Sequence, residues 1–107
     1  MVTREKPSWI ETASATNATA TAARPAPAAG LQHFITSISG SFSGAVAGAQ
    51  MRLLADAVEL GRWYVHDQFE ISFPSPVAIG PASVANLDIA GGGAGVIGSV
   101  NMTGYTL

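Results

Sequence analysis

Few residues in this chain are able to do chemistry, and most of them fall within Arg62–Pro76, which reads RWYVHDQFEISFPSP. His66, Asp67 and Glu70 stand close together there, a set with the donors for weak acid–base work or for a metal. The other histidine, His33, lies far upstream with no H-x-H or E-x-x-H partner, so the spacing of a zinc site is missing. Gly93-Ala94-Gly95-Val96-Ile97-Gly98 fits G-x-G-x-x-G. A dinucleotide fingerprint, however, needs a helix after it to receive the pyrophosphate and an acidic residue about 20 positions further on. Ser99–Leu107 alternates like a strand instead and carries no acid. No serine sits in G-x-S-x-G, so acyl transfer has no anchor. Trp63 and Tyr64 beside Arg62 offer a surface on which a sugar ring could stack. Asn17-Ala18-Thr19 and Asn101-Met102-Thr103 are sequons that matter only in a secreted eukaryotic protein. The expectation is a protein that is not an enzyme, with no cofactor and no resident metal.

Contacts with neighbours are the remaining use for the conspicuous side chains. The first twelve residues are charged, with Arg4, Glu5, Lys6 and Glu11 around the isolated pair Trp9–Ile10. They form either a disordered tail or an extended arm, residues 1–12, that docks Trp9 and Ile10 on another subunit. Deleting them is expected to weaken assembly without unfolding the rest. His66, Asp67 and Gln68 break the alternation of the opening stretch and are the second candidate contact, at a polar corner.

Composition points the same way. The chain has 107 residues, enough for one domain with a modest core. Only 11% of them are charged, where about 25% is usual. A net charge of −2 gives nucleic acid nothing to hold. So sparse a charge suits a surface covered by copies of itself or by neighbours, hence a homo-oligomer. There is no cysteine, which excludes disulfides and thiolate metal sites. The N-terminal stretch lacks the apolar core of a secretory signal, and no apolar run reaches about 18 residues, so the expectation is a protein made in the cytoplasm with no membrane span.

The elements that must hold these residues are strands. Thr19 and Thr21 alternate with Ala18, Ala20 and Ala22, which predicts a strand over 16–23 that Pro25 and Pro27 stop. Leu31–Ser43 alternates most clearly, with Phe34, Ile38 and Phe42 expected on the core face and His33, Ser37, Ser39 and Ser41 on the other, together with Leu31 and Ile35. Gly44–Trp63 fits a helix by propensity, with Arg52 and Asp56 four apart. It also fits a hairpin, Gln50–Leu54 and Val58–Val65 about a turn near Ala55–Ala57. The hairpin is preferred, since a lone helix among strands would leave sheet faces uncovered. Trp63, Phe69, Ile71 and Phe73 are expected to anchor the core, with Pro74 and Pro76 at an edge or corner. Val77–Ile79 reads as a short strand or corner, Val84–Ala90 as a strand with Leu87 and Ile89 on one face against Asn86 and Asp88, and Val96–Leu107 as a long final strand with Val100 and Met102 inward.

Taken in order, HFITSISGSFSG, RWYVHDQFEISFPSPV and the final GGGAGVIGSVNMTGYT resemble a group of small virion structural proteins of tailed bacteriophages and prophages. The likeness covers residues 13–107 and departs from that group at Leu54-Ala55-Asp56-Ala57, where a Lys-Asp-Gly turn is usual. It implies an all-β antiparallel sandwich, jelly-roll-like, of about seven or eight strands, acting as a capsid decoration or cement protein. The implied partners are the major capsid protein or other virion proteins, and the implied location is the virion. A head or tail fibre component and a carbohydrate-binding sandwich module are the alternatives.

Overall fold

The computed structural model describes residues 8–44 and 46–107. They form eight strands: β1 (Ser8–Thr16), β2 (Ala20–Arg24), β3 (His33–Phe42), β4 (Ala49–Ala55), β5 (Val58–Val65), β6 (Gln68–Ala78), β7 (Ala85–Ile89) and β8 (Ile97–Thr106). Two four-stranded antiparallel sheets face each other, β1-β8-β3-β6 and β2-β7-β4-β5, here called the first and second sheets. The pairing is nested: β4 with β5, β3 with β6, β2 with β7 and β1 with β8. One long hairpin, its tip between β4 and β5, has been rolled so that β8 also meets β3 and β7 also meets β4. That order is a jelly roll: the strands expected from the alternation are there, and the all-β sandwich that the resemblance implies is the fold.

The tip is the segment where helix and hairpin competed. Asp56 turns the chain in the left-handed region at φ 51°, which an Asp tolerates. Its Oδ1 accepts from the Val84 N–H at 2.8 Å, its own N–H donates to the Val84 carbonyl at 2.8 Å, and Asn86 reaches its carbonyl. The tip is thus tied to the start of β7. Arg52 pairs with Asp88 across the sheet, and the spacing to Asp56 that suits a helix has no role.

Between the sheets lie Ile35, Ile38, Met51, Leu53, Leu87, Ile89, Val100 and Met102, all at most 1% exposed. Each such side chain contributes roughly 1.5–3 kcal/mol relative to exposure. Gly40 lets the sheets approach: a Cβ there would sit 2.7 Å from Met51 Sδ. Two expectations about this core are corrected. A β-bulge at Thr36 shifts the register of β3 against both neighbours, so His33 and Ile35 face inward together with Ile38, Gly40 and Phe42, and Phe34 turns out to stack on Tyr105. Unbroken alternation had put His33 and Ile35 opposite Ile38. Second, Trp63, Phe69, Ile71 and Phe73 are half-buried and pack against the core from one side, because β5 and β6 are both edge strands.

The N-terminal arm is the third correction. Residues 8–12 belong to β1, which pairs with β8 from Ser8↔Tyr105 to Thr16↔Ile97. The strand predicted over 16–23 is the second one, Ala20–Arg24, set off from β1 by a turn in which Asn17 has φ 48°. Residues 1–7 of the expected arm lie outside the described residues.

Candidate functional site

The predicted contact residues do not form one site. Trp9 points inward and is 8% exposed, so it is no docking residue. Its ring lies over Gly104, meets the His33 ring edge-on at 5.4 Å, and is covered by the Arg24 guanidinium at 5.1 Å. Arg24 in turn holds Glu11 at 3.1 Å. Ile10, next in the chain, points the other way and is 66% exposed on the outside of the first sheet. His66, Asp67 and Gln68 are exposed at the β5–β6 corner, as a contact surface requires. The backbone ties that corner down: the Asp67 carbonyl accepts from Phe42 and the His66 carbonyl from Val46. By register and strand spacing, Ile10 and Gln68 are roughly 20 Å apart.

Nor does chemistry gather at the histidines. Glu70 extends from the outer face of β6, opposite Ser39, away from the corner that holds His66. Among the described residues no group of three His, Asp or Glu side chains converges as metal ligands would. His33 is 2% exposed and fully bonded. Its Nε2 faces the Pro25 carbonyl at 2.7 Å, which only accepts, so the ring proton sits on Nε2. Its Nδ1 then accepts from the Thr106 hydroxyl at 2.7 Å, and that hydroxyl accepts from Trp9 Nε1–H at 3.1 Å. A relay in which both ring nitrogens are engaged is a structural clasp rather than a base waiting for a substrate.

What the fold presents to the outside is two unlike sheet faces. On the first sheet the outward rows run Ser8–Tyr105–Phe34–Ala78, Ile10–Thr103–Ser37–Ser72, Thr12–Asn101–Ser39–Glu70 and Ser14–Ser99–Ser41–Gln68. Glu70 is the single charge in these rows. Thr12, Ser14, Ser99 and Asn101 rim an open depression of about 410 Å³ floored by Ala13 and Val100. On the second sheet the outward residues carry charge: Arg52 binds Asp88 through two bonds of 3.2 and 2.8 Å, and Arg62 binds Glu59 at 3.0 and 2.8 Å. Hydrogen bonding to these carboxylates raises both guanidinium pKa values above their usual range, with Tyr64 adding to the effect on Arg62. Tyr64 itself is 61% exposed beside them.

Sequence reasoning missed both faces as units. The hydroxyl face was visible strand by strand, as Ser37, Ser39 and Ser41 or Ser99, Asn101 and Thr103, but only the register lines them up. The sugar-stacking surface changes too: Trp63 turns inward against Phe69 and Phe73, at ring distances of 6.1 and 6.5 Å, leaving Tyr64 alone outside.

No family model and no curated protein sequence matches the chain. It is similar in structure to PliG of Aeromonas hydrophila, a periplasmic inhibitor of g-type lysozyme, at 12% identity and a TM-score of 0.42, over 100% of this chain and 92% of that one. It is also similar to the CBM36-1 domain of a multidomain xylanase from the hindgut metagenome of Trinervitermes trinervoides, at 10% identity and 0.48, over 92% and 95%. FlhE is a third, at 11% identity and 0.43, over 92% and 96%. At these values none of the three bears on what this chain does.

Proposed function

We propose that this chain is a non-catalytic assembly module, a subunit that coats a larger protein shell as a decoration or cement protein does. The observation that carries the reading is the outer face of the first sheet, where Glu70 is the only charge in four rows of short hydroxyl, amide and apolar side chains. Covering such a face strips no ion pairs of water and freezes few long side chains, each of which would cost up to about 2 kcal/mol. Depleted charge, exposed Ile10 and the Phe34–Tyr105 stack are the features this face shares with interface cores. The resemblance to tailed-phage structural proteins makes a virion, assembled in the host cytoplasm, the setting. The jelly roll is at home in capsid proteins, an analogy of fold only. Many copies on one shell would add stability by avidity.

The test is co-sedimentation with shells of the major capsid protein from the same genome. Ser39→Lys and Thr103→Lys, at the centre of the hydroxyl face, should abolish it, while Arg52→Ala and Tyr64→Ala on the other face should not. Shell binding that survives both lysines would end this reading.

One observation favours a second reading, a carbohydrate-binding module: Tyr64 stands exposed beside Arg62, Glu59 and Gln50, a flat ring ringed by hydrogen-bonding groups. Retardation in polysaccharide-loaded gels that disappears in Tyr64→Ala would select it. Unretarded migration would dismiss it.

A further inference from the structure

The four edges of the sandwich are not equally guarded. An open strand edge invites pairing, and proteins blunt it with proline, bulges, charge or brevity. β6 has Pro74, Pro76 and a break in its register against β3. β5 has a bulge at Leu60 and the charges of Glu59 and Arg62. β2 is five residues long and runs into Pro25 and Pro27. β1 has none of these: nine residues, no proline, no bulge, and one charge, Glu11, already held by Arg24.

The direction of β1's backbone groups follows from its neighbours. Gln32 and Leu107 exchange bonds of 2.7 and 3.0 Å, so odd-numbered residues of β8 serve β3 and even-numbered ones serve β1. The Asn17 N–H donating to the Val96 carbonyl at 2.9 Å continues that ladder. Odd residues of β1 therefore bind β8. The N–H and C=O groups of Ser8, Ile10, Thr12, Ser14 and Thr16 point the other way, along the open edge.

We propose that this edge pairs antiparallel with the same edge of a second copy about a two-fold axis at Thr12, joining two first sheets into one of eight strands. The register that uses all five outward residues sets Thr12 against Thr12, Ile10 against Ser14 and Ser8 against Thr16. On the inner side it sets Trp9 against Ala15 and Glu11 against Ala13. Large residues in the first half of β1 thus meet small ones in the second, a Thr–Thr pair sits at the centre, and no two charges oppose. A strand from an unrelated protein would have to supply that same large-to-small order; a second copy has it by construction. The pairing does not depend on what the outer face binds.

Sedimentation velocity over a concentration series tests it. The wild-type chain should show a monomer–dimer equilibrium. Thr12→Pro, which removes an N–H that β8 does not use, should be monomeric. Thr12→Lys and Thr12→Glu should each be monomeric through like charges at the axis, and their mixture should recover the dimer mass. A wild-type chain that stays monomeric to about 1 mM, weaker than about −4 kcal/mol of association, overturns the proposal, and so does a lysine variant that dimerises as well as wild type. Ser39→Lys separates the two ideas, since it should spare the dimer and remove shell binding. Persistent dimers in all three Thr12 variants, with shell binding lost in Ser39→Lys, would place the seam elsewhere and leave the outer face as the assembly surface.

Discussion

The two tryptophans sit in comparable surroundings and are held very differently. Each ring lies over a glycine of its own sheet, Trp9 over Gly104 and Trp63 over Gly61, and each belongs to an edge strand. Trp9 is closed on every side, by His33, Arg24, Gly104 and the hydroxyl that takes its indole proton. Trp63 has two tilted phenyl neighbours and partial exposure, and among the described residues its indole N–H has no hydrogen-bond partner. Polar neighbours, far from marking a docking residue, make Trp9 the better buried of the two. A tryptophan's role is decided by whether its N–H is satisfied inside.

That contrast can be broken or sharpened by measurement. Trp9→Ala should be the most damaging change, costing about 3–5 kcal/mol in denaturant unfolding, whereas Trp63→Ala should cost about 2 kcal/mol, since less of the ring leaves water. Equal losses would erase the distinction. His33→Leu leaves the Pro25 carbonyl without its donor and should lower stability by roughly 1–3 kcal/mol. Gly104→Ala should follow at about 1–3 kcal/mol, because its Cβ would run into the Phe34 carbonyl oxygen, which the β3–β8 ladder holds in place. Gly61→Ala should cost less than about 1 kcal/mol, since the obstacle, Trp63 Cη2 at 2.6 Å, is a ring end able to swing outward. The smallest effect is spectroscopic. In Trp63→Phe the remaining emission, from Trp9, should be blue-shifted and resist acrylamide, and in Trp9→Phe the emission from Trp63 should be quenched.

How far the sequence reached follows the same line. Strand periodicity is local, so β3, β5, β7 and β8 were visible within a few residues, as was the hairpin around Asp56, whose rejected helix had better propensity but no partner face. The corner at His66–Gln68 showed itself through broken alternation. Trp9 was misplaced because its stretch is charged and short on apolar residues, and what makes it core comes from Gly104 and Thr106 at the far end of the chain. The bulge at Thr36 was silent for another reason: nothing in FITS distinguishes a bulged residue from a paired one, and it shows only in the shifted register against β8, where the Thr36 hydroxyl donates to the Thr103 carbonyl. Likewise the hydroxyl face exists only once four registers are fixed.

The nesting of the strands has a consequence for the order in which the protein comes off the ribosome. The hairpin tip can close as soon as β5 emerges, and each later strand finds its partner one shell further out. Of the eight strands β1 is made first and paired last: it ends at Thr16, while its only sheet neighbour among the described residues begins at Ile97. At about 5–20 residues per second it waits roughly 4–16 s with both flanks bare. Each nascent copy therefore carries β1 without its sheet partner until β8 is made. Once β8 arrives it occupies one flank only, and the strand that translation exposes longest keeps its other flank open in the finished protein.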